Sequence, residues 1–336
     1  MLDRSRNRRR IVTLGPLPAP VAARLGAYGE VVMTPEDGVE AFEILDDSVI
    51  LLIPRGSVYI DGRWMDRAPG LKAIARTGVG YDSVSIEDAT RRGIPVLYTP
   101  GAMSRAVAEQ TLAFMLAAGK KLQFWRQSLA EGNWSARYTS RSWDFEGRVL
   151  GIIGYGRIGR LVRQLCRPLN MVVLADDPYI DHAAYGDDQV EFTSLEDVLQ
   201  RASVITLHVP LTNETRAMIN RTNIRLVQPG SLLINTARGA VIEDLDLLVE
   251  ALDEGRLEAV ALDVFPDEPP DLSHPLFRHP RAIVTGHVAA RTPLAQQRIL
   301  ETMLEDACAV LEGRRPNLDN VVNPEVYLQG AVQQKR

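Results

Sequence analysis

The sequence holds only two cysteines in 336 residues, Cys166 and Cys308. So few in so long a chain exclude a disulfide framework and fit a reducing compartment. No run of 18 apolar residues occurs, so no segment is built to span a bilayer. There is no basic excess either: the formal net charge is −5, which argues against a nucleic-acid binder. Histidine is scarce, and His182, His274 and His279 show no metal-ligand spacing with cysteines or acids. They read as surface residues, and no metal is expected. Solenoid repeats and low-complexity tracts are absent too. The chain opens MLDRSRNRRR, but no apolar stretch of signal-peptide length follows. IVTLG runs directly into Pro16, Pro18 and Pro20. Residues 1–10 therefore read as a solvated tail, with an electrostatic anchor as the alternative reading, and a cytoplasmic protein is expected.

What is present is the balance of a globular protein, 46% apolar and 24% charged, over a length that suits two domains. Short Val-, Ile- and Leu-rich runs at 11–14, 31–33, 49–53, 71–75 and 95–98 alternate with amphipathic stretches at 21–28, 35–45 and 85–92. That alternation predicts parallel sheets covered by helices on both faces, an α/β fold. A long helix is expected over 106–119, N-capped by Ser104 and continuing to about 129. Residues 133–147 are irregular and read as a loop or arm. A second series follows, with strands at 149–153, 172–175, 204–209, 231–234, 260–262 and 282–285. Its helices are expected at 158–167, 195–200, 220–227 and 244–253. A last helix over 293–312 ends before Gly313, a natural C-cap residue.

Residues 149–159 read VLGIIGYGRIG, with glycines at 154, 156 and 159. A G-x-G-x-x-G triplet alone is weak. Here an apolar strand precedes it, an amphipathic helix follows it, and a second strand ends in Asp176-Asp177. Gly154 permits the tight turn, Gly156 lets backbone approach a pyrophosphate, and Gly159 packs helix on strand. Arg157 and Ile158 open the helix and offer amides to the phosphates. Asp177 lies 18 residues after the last glycine, where a carboxylate accepts hydrogen bonds from ribose hydroxyls and repels a 2′-phosphate. The expected cofactor is NAD, with NADP disfavoured.

Six further segments stand in a fixed order: GVGYD (78–82), VAE (107–109), HVPLTNETR (208–216), INTARGAVIEDLDL (234–247), AVALDVFPDEPP (259–270) and VTGHVAARTP (284–293). With the glycine motif they resemble the D-isomer-specific 2-hydroxyacid dehydrogenase family over about residues 45–325. That resemblance implies a catalytic set of Arg238, Glu268 and His287. The roles suit the chemistry. A guanidinium can hold the carboxylate and carbonyl oxygens of a 2-keto acid in one orientation. A histidine can give a proton to the alkoxide that hydride delivery to C2 creates. A carboxylate beside the imidazole favours its protonated form and fixes its tautomer. The resemblance also places His208, Pro210, Thr236 and Asp263 at the cofactor, with Asp263 at the nicotinamide carboxamide. A structural role stays open for His208 and for Asp263.

Further expectations follow from the same likeness. Amides of Val79 and Gly80 are expected to hold the substrate carboxylate, helped by Arg55. Met103 stands where many members have asparagine, which favours an apolar pocket wall. Gly286 stands where proline often precedes the catalytic histidine. The implied architecture is two Rossmann-like domains with the active site in the cleft between them. The substrate domain comprises 1–105 plus 297–336, and the NAD-binding domain 106–296. Closure over bound substrate is expected. The implied partner is a small 2-hydroxy or 2-keto acid, and the implied assembly a homodimer through the NAD-binding domain, with 133–147 reaching toward the second copy. Two other readings use the same fold: an NAD-sensing co-regulator, and a dehydrogenase of another small anion such as formate or phosphite.

Overall fold

The computed structural model describes residues 9–56, 58–184 and 189–327, so all but the last two residues of the basic N-terminal tail lie outside the described residues. The chain divides into two compact units, Met1–Met103 with Thr292–Arg336, and Ser104–Arg291.

The first unit alternates β1 (Arg10–Leu14), α1 (Ala19–Leu25), β2 (Glu30–Thr34), α2 (Val39–Glu43), β3 (Val49–Ile53), α3 (Gly62–Arg67), β4 (Ala73–Ala75), α4 (Ile86–Arg91) and β5 (Val96–Leu97). All five strands are parallel, in the order β2-β1-β3-β4-β5. The strand VILLI is buried at every position, which is why it carries no polar alternation. One face of this sheet packs on Val21, Leu25 and the C-terminal helix residues Met303, Leu304 and Ala307. The other packs on Ala41, Trp64, Met65 and Ala89. Fully burying each such Leu or Ile is worth roughly 1.5–3 kcal/mol. Asn323, fully buried, accepts from the Val96 amide at 2.8 Å and donates to Ile94 O at 3.0 Å, fastening the C-terminal segment to β5.

The second unit runs α5 (Ser104–Gly119), α6 (Leu122–Ala130), α7 (Ala136–Thr139), β6 (Val149–Ile153), α8 (Arg157–Cys166), β7 (Val172–Asp176), β8 (Val190–Phe192), α9 (Leu195–Arg201), β9 (Val204–Leu207), β10 (Ser231–Asn235), α10 (Leu245–Asp253), β11 (Leu257–Leu262) and β12 (Ala282–Val284). The remaining helix, α11 (Pro293–Leu311), belongs to the first unit. The seven strands are parallel in the order β12-β11-β10-β9-β6-β7-β8. Strand order reverses between β6 and β9. In open α/β sheets the loops at the carboxyl ends beside such a reversal bind ligands.

Local chemistry moved several boundaries. Ser104 lies inside α5, buried, rather than capping it. The helix expected to run on to residue 129 breaks at Lys121, whose φ of 52° is left-handed, and restarts as α6. The expected helix over 220–227 is one 3-10 turn, Ile224–Leu226. Its two asparagines explain this: Asn223 Oδ1 accepts the Asn220 amide at 2.9 Å, and Asn223 Nδ2 donates to Met218 O at 2.6 Å. Such side-chain bonds compete with helical ones. Residues 136–139, read as irregular, form the short α7, while α3 and the three-residue edge strand β8 were too short to leave a pattern.

Candidate active site

Six of the loops that leave the carboxyl ends of the seven-stranded sheet hold the residues expected at the cofactor and in catalysis. The 154–159 turn after β6 folds as glycine demands. Gly154 has φ +91°, and a Cβ there would sit 2.8 Å from the His208 carbonyl. A Cβ on Gly159 would lie 2.2 Å from Gly154 O and 3.1 Å from Ile152 Cγ2, so helix α8 could not seat on its strand. Gly156, the N-cap residue of α8, faces open space: an added Cβ would meet nothing within 4 Å. Arg157, Ile158 and Gly159 open α8, where the first-turn amides have no intrahelical acceptor. Asp177, past the end of β7, accepts the Tyr155 amide on one oxygen at 2.8 Å and the Tyr179 amide on the other at 3.1 Å. It thereby ties the second strand to the glycine turn. Burial, then the neighbouring Asp177 and Glu196 charges, push Asp176 above the usual carboxylate range.

The loop after β9 begins at His208. Its ring meets Thr206 Oγ1 through Nε2 at 2.9 Å, and burial pushes its pKa down to about 3, so it stays neutral. Pro210 O accepts the Thr215 hydroxyl at 2.6 Å, shaping the rest of the loop. Thr236, after β10, is buried, with its hydroxyl 3.0 Å from that of Thr111 on α5. Thr111 gives its proton to Val107 O at 2.9 Å, so the Thr236 hydroxyl is the donor of the pair.

Arg238, Glu268 and His287 come from the loops after β10, β11 and β12. Asn235, fully buried, shapes the first: Oδ1 accepts the Ala237 amide at 3.0 Å, and Nδ2 donates to Arg238 O at 2.9 Å. The Arg238 guanidinium gives one of its donors to Ala237 O at 2.8 Å. Gly239 lets this loop lie against the next: a Cβ there would be 1.8 Å from the Phe265 carbonyl carbon. Glu268 Oε1 accepts the Phe265 amide at 3.1 Å, while Oε2 meets His287 Nδ1 at 2.7 Å. Burial raises the Glu268 carboxyl, but the bond and charge of His287, the Phe265 amide and the Arg238 charge together hold it below its ordinary value. An ionised carboxylate only accepts, so Nδ1 carries the proton and Nε2 is left for another partner. The imidazole is about half exposed. Asp263 is buried, and its carboxylate accepts from Thr285 Oγ1 at 2.5 Å and from the amides of Val288 and Ala289, both at 2.9 Å.

The expected substrate contacts lie in the first unit. Val79 and Gly80 sit on the turn after β4, and Arg76 pins that turn, donating to Gly80 O at 2.9 Å and to Pro54 O at 3.1 Å. Arg55 donates to Pro16 O at 2.5 Å. Met103 is partly buried just before α5.

The family model for D-isomer specific 2-hydroxyacid dehydrogenase, NAD binding domain, matches residues 112–289, just over half of the chain. The D-3-phosphoglycerate dehydrogenase of Methanocaldococcus jannaschii is 36% identical over 316 residues, 94% of this chain and 59% of that protein. The glyoxylate reductase of Thermofilum pendens is 36% identical over 275 residues, 80% of this chain and 79% of that protein. The structure of D-lactate dehydrogenase from Aquifex aeolicus, complexed with NAD and lactic acid, superposes with a TM-score of 0.82 at 27% identity, covering 93% of this chain and 99% of that one. The chain belongs to the D-isomer specific 2-hydroxyacid dehydrogenase family. It spans 59% of the length of the phosphoglycerate dehydrogenase relative named above.

The second unit contains the stretch that matches the family's NAD-binding domain, and its residues fit the cofactor. The open space at Gly156, the first-turn amides of α8 and the Asp177 carboxylate are the groups that could hold a pyrophosphate and a ribose. Among the described residues no cluster of His, Cys, Asp or Glu could hold a metal ion, and no helix is long and apolar enough to cross a membrane. The three histidines read as surface residues serve as local fasteners. His182 Nε2 meets Asp177 O at 2.8 Å, and its ring stacks on Phe192. His274 and His279 meet Asp246 and Asp253 at 3.1 and 3.4 Å. Sequence reasoning missed Arg76, Asn235, Thr111 and Gly239. Asn235 and Gly239 stood inside the quoted INTARGAVIEDLDL segment, beside Arg238, and were the ones within reach.

Proposed function

We propose that this chain is an NAD-dependent oxidoreductase that moves hydride between the nicotinamide and C2 of a small D-2-hydroxy (2-keto) acid. The observation that carries the reading is the 2.7 Å contact between His287 Nδ1 and Glu268 Oε2, with the Arg238 charge acting on the same carboxylate. Bound NADH supplies the hydride. Everything else falls to the chain's own groups. Glu268 holds the imidazole by Nδ1, so Nε2 faces the substrate oxygen. In reduction the protonated imidazole gives its Nε2 proton to the alkoxide forming at C2. In oxidation the neutral Nε2 takes the hydroxyl proton. Arg238 orients the carboxylate and polarises the carbonyl. Among the first unit's residues, the Val79 and Gly80 amides and Arg55 are assigned to the substrate carboxylate, and Met103 to an apolar wall. Asp177 is assigned to the ribose hydroxyls, favouring NAD over NADP.

For assembly, the same reading gives a homodimer through the NAD-binding domain. Leu122, Leu129, Trp134 and Tyr138 support it, for all four expose most of their surface on α6 or the 133–147 arm. Measured mass in solution tests it.

The reaction is tested with a panel of 2-keto acids, from glyoxylate to branched and aromatic ones, followed by loss of NADH absorbance. Arg238→Ala and His287→Ala are expected each to lower kcat/KM by about 100-fold or more. NADH affinity stays nearly intact. Equal loss of NADH binding would move these residues from catalysis to the cofactor site. A chain that oxidises formate or phosphite and reduces no 2-keto acid would overturn the substrate class.

A further inference from the structure

We propose that Tyr179 and Glu214 form a latch across the adenosine end of the cofactor site, one that opens each time a dinucleotide enters or leaves. The inference rests on Asp177 taking the ribose. Strand order supplies the geometry. In the second sheet β6 lies between β7 and β9, so the loops after those two strands flank the glycine turn that follows β6. Strand spacing sets the two loops about 10 Å apart. The Tyr179 hydroxyl, in the loop after β7, donates to Glu214 Oε2, in the loop after β9. That bond closes the gap between them. A ribose held at Asp177 stands two positions from Tyr179, so the base it carries belongs in the gap that the bond spans.

Both footings of the latch are built. Asp177 holds the first, accepting the Tyr179 amide at 3.1 Å and the Tyr155 amide at 2.8 Å. His182 adds to it, with Nε2 2.8 Å from Asp177 O and its ring stacked on Phe192 at 4.4 Å. The second footing is braced by its own hydroxyls. Thr212 Oγ1 accepts the amides of Glu214 and Thr215, both at 3.2 Å, and Thr215 donates its hydroxyl to Pro210 O at 2.6 Å. The span between the footings is different. The Tyr179 ring is 77% exposed, so it packs on little protein, and the bond to Glu214 holds its tip. An exposed bond of this kind adds little to the stability of the fold. It can therefore open without disturbing either loop. A broad aromatic face held in water beside a ribose acceptor also suits a purine base, which stacks on such faces.

The experiment is stopped-flow binding of NADH to the full chain, followed by fluorescence of the bound dinucleotide. Tyr179→Phe removes the hydroxyl and keeps the ring, and Glu214→Ala removes the acceptor. Each is expected to raise kon and koff together by about threefold or more, with Kd within about twofold of the parent, because the bond bars passage in both directions. The double variant is expected to match either single one, since all three lose the same bond. ADP-ribose, which carries the adenosine and no nicotinamide, is expected to leave faster by the same factor when chased with NADH. Both positions are exposed, so both variants are expected to fold, and either alone decides the test. Unchanged NADH rates would overturn the latch. A higher Kd through koff alone, with kon unchanged, would overturn it in favour of plain contact with the base. Faster NADH exchange with ADP-ribose unchanged would put the effect at the other end of the cofactor and overturn it too. The readout is binding alone, so a chain that reduces no 2-keto acid still tests the latch. Failure of the ribose assignment shows separately, in the cofactor preference of Asp177→Ala.

Discussion

Gly239→Ala adds one methyl group, and the structure says where it goes. The new Cβ would lie 1.8 Å from the Phe265 carbonyl carbon, 2.1 Å from its oxygen and 2.3 Å from Pro266 N. Ordinary contact begins near 3.4 Å, so the two backbones must part by about 1.6 Å. All three obstacles are main chain, so no rotamer change relieves the clash. Overpacking of this kind costs about 1–3 kcal/mol. In a domain this size each kcal/mol lowers Tm by about 2–4 °C. The loop that must move carries Glu268 three residues further on, and with it the hydrogen bond to His287. Misplacing a catalytic group by about 1 Å costs on the order of 100-fold in rate. Thermal melts and kcat/KM for the best 2-keto acid should therefore fall together. Gly286→Ala is the comparison for stability. It meets nothing within 4 Å, so its Tm should hold or rise slightly. Gly239→Ala with Tm within a degree of the parent and kcat/KM within twofold would refute the account of how these loops are packed.

Glu268 sits below its ordinary carboxyl value in the folded chain. A depressed carboxyl contributes stability above its unfolded pKa, and that contribution disappears as pH falls through the folded value. Melting curves between neutral pH and pH 3 should thus show a shallower acid loss for Glu268→Gln than for the parent; parallel curves would deny the linkage. Asp177→Ala should shift the ratio of kcat/KM toward NADPH by about tenfold or more, since it removes the carboxylate proposed to accept from the ribose hydroxyls and to repel a 2′-phosphate. An unchanged ratio removes Asp177 from that role.

The fold was legible because it is written in periodicity. Runs such as VILLI and VLGII are apolar at successive positions, and only strands buried on both faces need that. The glycine turn was legible because backbone geometry allows no substitute at 154 and 159. Errors gathered where side chains compete with the backbone. Lys121 breaks a helix that propensity would continue, and Asn220 and Asn223 replace a helix with side-chain bonds. Nothing in helix propensity marks a lysine for a left-handed turn.

The candidate site divides along the same line. Arg238, Glu268 and His287 stand out in sequence through the family resemblance of the segments that hold them. Their supports do not. Asn235, Arg76 and Thr111 act through hydrogen bonds to main chain or to a buried hydroxyl, and each could as well have been a capping or solvated residue in the same sequence. The precision of the imidazole–carboxylate pair therefore comes from the loop carbonyls, amides and hydroxyls that fix the two side chains, and a substitution in that layer should change rate before it changes binding.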